Sequence, residues 1–159
     1  MTTKAMELPV ATDKVLAGLE RAYWMEIETV QSYICNSVNL DGVRAEEIKR
    51  SLAADVTEEI GHAQSFAKRI KELGGIVPGS MAFRPNQKSL QPTEDTTDVV
   101  RVIRGVIEAE AGAIEVYRDL IEAAEEARDY VTADLVTTIL ADEESHRREF
   151  LGFLKEYER

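Results

Sequence analysis

Apolar residues recur three or four positions apart through four long stretches of this 159-residue chain. The first, from about Asp13 to Asn39, carries Leu16, Leu19, Tyr23, Ile27, Val30 and Ile34. The second, from about Arg44 to Leu73, carries Ile48, Leu52, Val56, Phe66 and Ile70. The third runs from near Thr97 to Glu126 with Val99, Ile103, Val106, Ala113, Tyr117 and Leu120. The fourth runs from about Asp129 to Tyr157 with Leu135, Ile139, Phe150 and Leu154. This period is the stripe of an amphipathic α-helix that faces a core. Thr12 or Asp13 is the expected cap of the first helix, and Asp41-Gly42 and Gly74-Gly75 are stop signals.

The connections differ in kind. A few residues join the first two stretches and the last two, which predicts two antiparallel hairpins. The segment from Gly74 to Thr96 holds Pro78, Pro85 and Pro92 and reads as an extended connector. A helix of about 30 residues is about 45 Å long. The connector reaches roughly 70 Å when extended. It can therefore cross the whole bundle and leave helices 2 and 3 parallel. The expected fold is all-α: a four-helix bundle of two antiparallel hairpins joined by a long crossover at about 74–96, in a single domain over 1–159.

Charged residues interrupt the apolar stripes in phase with them. Glu59 and His62 lie between Val56 and Phe66, and Glu143 and His146 between Ile139 and Phe150. Glu26 and Glu110 lie on the apolar faces of helices 1 and 3. A constant offset of 84 residues relates 26 to 110, 33 to 117, 59 to 143 and 62 to 146. His62 and His146 are the only two histidines. A Glu-x-x-His pair puts both side chains on one helical face. Two such helices plus two that each offer one Glu make the ligand set of a carboxylate-bridged dimetal centre. Four buried carboxylates must pair, protonate or bind metal. Two divalent cations would balance their charge, and mixed oxygen and nitrogen donors suit iron or manganese, with zinc a competitor.

Neighbouring residues leave alternatives open. Tyr33 and Tyr117 are either donors that orient a ligand carboxylate or amphipathic core tyrosines. Asp55 and Asp142 either hydrogen-bond the histidines or face solvent. Glu58, Glu144 and Glu28 are nearby acids out of phase with the chosen set; Glu58 lies about 100° around the helix from Glu59, so its loss is expected to be close to neutral. Trp24, Phe66 and Phe150 read as core packing, and Cys35 as a small buried hydrophobe. Gly105 and Gly112 read as points of close helix contact.

Composition excludes several partners. The net charge of −11 argues against nucleic acid. A single cysteine excludes an intrachain disulfide and a Cys-x-x-Cys site. No run is apolar enough to span a membrane, and Met1 to Val10 lacks the apolar stretch of a signal peptide. The expected location is cytoplasmic.

At Glu26, Glu59-x-x-His62, Glu110 and Glu143-x-x-His146 the sequence resembles the ferritin-like superfamily, over essentially the whole chain. The order of ligands is similar to the diiron centres of bacterioferritins, Dps-like proteins and rubrerythrins. The resemblance implies Glu59 and Glu143 as metal bridges, Glu26 and Glu110 as terminal carboxylates, and one histidine per metal. It also implies two Fe ions as cofactor, Fe(II) with O₂ or H₂O₂ as substrates, and a homo-oligomer. Ile60 stands where haem-bearing bacterioferritins have Met, so haem is not expected there. Ala113 stands where rubrerythrins have a further Glu. The expected function is a diiron-carboxylate ferroxidase in iron storage, detoxification or oxidative-stress protection. The alternatives are a peroxidase or oxygenase with another electron donor, and a redox-silent, metal-stabilised bundle.

Overall fold

In a computed structural model, residues 10–159 are described; the Met1–Val10 segment read above for a signal peptide lies almost wholly outside them. Four helices carry the fold: α1 (Val10–Asn39), α2 (Glu46–Glu72), α3 (Val99–Glu126) and α4 (Tyr130–Tyr157). Among the described residues there is no strand. Helix α1 is already running at Val10, so Thr12 and Asp13 do not cap it. Asp13 instead lies in the first turn, where a carboxylate favours the positive end of the helix dipole. Asp98 and Asp129 do cap α3 and α4, accepting the backbone N–H of Arg101 and Thr132.

Helices α2 and α3 end in the same way. Gly75 N–H reaches back to Ile70 and Gly74 to Lys71, with Gly74 at φ 84°. Asp129 N–H reaches back to Ala124 and Arg128 to Glu125, with Arg128 at φ 58°. Both are Schellman endings, which need a left-handed residue. Glycine adopts that conformation freely; Arg128 adopts it at a cost that sequence inspection did not foresee.

Helix α1 lies along α2 and α4 along α3, and the hairpins meet chiefly through α1 and α3. Contacts fix the directions: Tyr33 meets Glu110 and Glu26 meets Tyr117, so α1 and α3 are antiparallel. With each hairpin antiparallel, α2 and α3 are parallel, as a bundle-length crossover requires. The interior holds two apolar clusters. One contains Leu19, Phe66, Tyr117, Leu120 and Val136. The other contains Tyr33, Leu52, Ile103, Val106 and Phe150. Each fully buried Leu, Ile or Phe contributes about 1.5–3 kcal/mol. The repeat partners Phe66 and Phe150 fall in opposite clusters.

The crossover is tied down by side chains. The buried Glu28 carboxylate accepts the backbone N–H groups of Asn86 at 2.9 Å and Gln87 at 2.7 Å. Asn36 Nδ2 donates to the Leu90 carbonyl at 2.8 Å, and Leu90 itself is buried. A Cβ on Gly105 would lie 2.2 Å from the Ser89 carbonyl oxygen, so only glycine lets the strap come this close. The close approach at Gly105 is therefore to the crossover and not to a helix, and Gly112 has open space beside it. Trp24 is half-buried and stands outside both clusters, its ring tilted against Tyr23 and against Phe83 of the crossover at centroid distances of 5.0 and 5.2 Å. Cys35 is also only half-buried, because it lies at the edge of the α1 stripe.

Candidate metal centre

Each helix brings its ligand-type residue to one level of the bundle because the stripe that buries its apolar neighbours buries it too. Glu26, Glu59, His62, Glu110, Glu143 and His146 are all buried, none more than 6 % exposed. They form two groups of four: Glu26, Glu59, His62 and Glu143, and Glu59, Glu110, Glu143 and His146. In each group the candidate ligand atoms lie within 4.8 Å of one another. Glu59 and Glu143 belong to both groups.

The donor atoms converge on one another across the bundle. His62 Nδ1 lies 3.2 Å from Glu59, 3.0 Å from Glu143 and 3.7 Å from Glu26. His146 Nδ1 lies 3.2 Å from Glu59, 3.8 Å from Glu110 and 3.9 Å from Glu143. Glu59 Oε1, Glu143 Oε1 and His146 Nδ1 are buried and make no well-aligned hydrogen bond, although an imidazole nitrogen lies within ion-pair distance of each of the two oxygens. Buried polar atoms this poorly aligned are costly, and a cation between them would relieve that cost. Oxygen and imidazole donors in this ratio fit a pair of divalent transition-metal ions.

Hydrogen bonds hold the set from outside, and they cross between helices. Tyr33 on α1 donates to Glu110 on α3, and Tyr117 on α3 donates to Glu26 on α1. Burial first, then the adjacent carboxylates, hold both phenols well above their usual range, so they stay protonated donors. His62 on α2 turns Nε2 to Asp142 on α4 at 3.1 Å. His146 on α4 turns Nε2 to Glu58 on α2 at 2.9 Å. Both histidines thus present Nδ1 inward. Of the two aspartates in question, Asp142 takes a histidine and Asp55 lies 3.9 Å from His146. Glu58, read from its helical phase as a bystander, reaches a histidine because α4 packs beside it. Its own repeat partner is Asp142, so the 84-residue relation extends to these acids (58 to 142). Glu144 is exposed and pairs with Arg118 at 3.0 Å.

Protons stabilise the metal-free cluster. Burial raises Glu26 and Glu110 well above the usual carboxyl range, and the neighbouring Glu59 and Glu143 carboxylates add to this. Burial also raises Glu143. Burial would raise Glu59 too, but its close contacts with Glu26, His146 and His62 outweigh it and hold Glu59 below its usual range. Burial alone would lower the imidazoles. Contacts with Glu143, Glu26 and Glu59 instead raise His62 far above its ordinary value, and Glu59, Glu110 and Glu58 push His146 up to about 11.

Among the described residues, no helix is long and apolar enough to cross a membrane. The chain shares 28 % identity over 133 residues with a bacterioferritin of Desulfovibrio desulfuricans, covering 84 % of this chain and 70 % of the relative. It shares 27 % over 145 residues with a DNA protection during starvation protein of Pyrococcus furiosus, covering 89 % and 77 %. Among solved structures, a ferritin-like diiron-carboxylate protein from Bacillus anthracis superposes with a TM-score of 0.82 at 21 % identity, over 92 % of this chain and 99 % of that one. The structure of the D. desulfuricans bacterioferritin superposes at 0.80 and 24 % identity, over 93 % and 82 %. The model of the ferritin-like domain matches residues 16–159, and the chain therefore belongs to the ferritin-like family.

Proposed function

We propose that this protein is a diiron-carboxylate ferroxidase that takes Fe(II) as substrate and O₂ or peroxide as oxidant. The observation that carries this reading is the pair of four-residue groups sharing Glu59 and Glu143. Glu59 and Glu143, common to both groups, would be shared between two irons, Glu26 and His62 would hold one, and Glu110 and His146 the other. Iron at these positions supplies a one-electron change per ion, so two Fe(II) reduce one peroxide to two waters, or one O₂ to peroxide, with two protons consumed.

The protein's own part is binding, orientation and proton handling. The buried carboxylates select a divalent cation pair by charge. Tyr33 and Tyr117 each fix one terminal carboxylate, and Asp142 and Glu58 fix the imidazoles with Nδ1 inward. Cation uptake at neutral pH must displace protons from His62, His146 and the raised carboxyls. Those protons are available for the oxygen atoms that reduction produces. The D. desulfuricans relative is a bacterioferritin and the B. anthracis neighbour a diiron-carboxylate protein, which supports iron over manganese or zinc.

The test is anaerobic Fe(II) titration followed by O₂ or peroxide, with Fe(III) formation followed by absorbance. Saturation at about two irons per chain and oxidation faster than in buffer is the expected result. Binding of two metals without oxidation would instead make the cluster a structural metal site.

A further inference from the structure

On the outer side of the α3–α4 hairpin lies a cleft of about 520 Å³ that the dimetal reading does not use. Arg118 stands on one wall and Arg147 and Arg148 on the other, over a floor of Ala111, Ile114 and Leu151. Glu115 and Glu144 also line it, leaving an excess of one positive charge in a chain of net charge −11. Glu144 is taken by Arg118 at 3.0 Å. Among the described residues neither Arg147 nor Arg148 has a carboxylate within 4.0 Å, Glu115 included. Arg147 Nε is buried and has no hydrogen-bond acceptor.

A chain with many more acids than bases leaves two arginines of one cleft without a carboxylate partner, beside an apolar lining. Guanidinium presents a planar fork of donors that matches the oxygens of phosphate and carboxylate in two-point contact. An exposed arginine on an acidic protein ordinarily turns to a nearby carboxylate; here Glu115 is within the same cleft and is not used. We infer that the α3–α4 cleft is an oxyanion site, in which Arg147 and Arg148 grip a phosphate or carboxylate group and Ala111, Ile114 and Leu151 receive any apolar body attached to it. The site is independent of the iron reading, since none of the residues lining the cleft belongs to either four-residue group.

Isothermal titration of the full metal-free chain with inorganic phosphate, and separately with phenyl phosphate, tests this. Saturable binding with a Kd of about 1 mM or tighter is expected for at least one of the two. Tighter binding of phenyl phosphate identifies an organic anion as the fitting ligand, and equal binding identifies the free ion. Arg147→Ala with Arg148→Ala should weaken binding about tenfold or more, the value of a lost charge-assisted hydrogen bond. If that variant does not fold, Arg147→Lys with Arg148→Lys keeps the charge, loses the fork and should still weaken binding. Absence of saturable binding by both probes, or unchanged affinity in the variants, overturns the site. So does a change in native mass of the alanine variant, which would mean that the arginines contact another copy of the chain.

Discussion

Turned onto each other by the 84-residue repeat, the two hairpins match Glu26 with Glu110, Glu59 with Glu143, His62 with His146 and Glu58 with Asp142, whereas Asp55 falls on Ile139. Among the described residues, His62 Nε2 has one acid within 4.0 Å, Asp142 at 3.1 Å, with Glu58 the next acid near it. His146 has Glu58 at 2.9 Å and a second acid, Asp55, at 3.9 Å. The six positions proposed to hold metal are paired across the repeat, and the asymmetry begins one layer out. A repeated sequence would keep its symmetry where two ions impose the same demand on both halves. Behind the histidines, where solvent also enters, the halves are free to differ.

The largest effects should come from the symmetric layer. Glu59→Ala and Glu143→Ala should each slow Fe(II) oxidation by more than about a hundredfold, beyond what outer-shell partners usually command. Stopped-flow oxidation rates check this, and a tenfold difference between the two variants would break the proposed equivalence of the bridges.

Metal removal should reveal the proton-stabilised state. A metal-loaded chain should melt higher than the metal-free one at pH 7, because metal binds only the folded cluster. The metal-free melting temperature should fall as pH rises from about 5 to 9. The sign follows from groups that bind protons more tightly folded than unfolded. His146 supports the fold fully below its unfolded value of 6.5 and loses that support as pH rises toward about 11. Glu26 and Glu110, raised above 4.5, also lose stability with rising pH. Calorimetry across this range checks the slope, and a metal-free chain that stabilises with pH would contradict it.

The asymmetric layer should give smaller, unequal effects. Asp142→Ala should weaken metal binding about tenfold, at the low end for an outer-shell partner. Glu58→Ala should weaken it less, because Asp55 can turn to His146. Adding Asp55→Ala to Glu58→Ala should restore the deficit of Asp142→Ala. Competition titrations with a metal indicator separate these cases, and equal losses in the two single variants would remove Asp55 from the account.

The smallest effect concerns Asp55 by itself. Burial pushes its carboxyl up to about 6 from 3.8, and one of its oxygens lacks a partner. It therefore subtracts stability as pH rises through that interval. Asp55→Asn should raise the metal-free melting temperature by about 2–4 °C at pH 7 and leave it unchanged near pH 3.5.

Much of this was legible from local rules. Helical period gave four helices, prolines gave the crossover, and the repeat singled out the residues that converge. What escaped depended on which element packs beside which. Helical phase separates Glu26 from Glu28, but it does not foresee that Glu28 is buried and sews the crossover to α1. That role rests on where Asn86 and Gln87 pass, which no periodicity encodes. Glu58 was misjudged for the same reason: its partner comes from a helix 88 residues away. Trp24, a large aromatic read as core packing, lies half-buried against Phe83 of the crossover instead. Arg128 took a left-handed conformation at a position where α2 has glycine.

The crossed histidine contacts also act as a mechanical register. The backbones of α2 and α4 approach less closely than those within each hairpin, so side chains close that face. Sliding α4 along α2 by one helical turn, about 5.4 Å, would uncouple Asp142 from His62 and Glu58 from His146 together. Two bonds running in opposite senses resist shear in both directions, as paired dowels do in a joint. The two hairpins can thus hold a common alignment before any ion arrives.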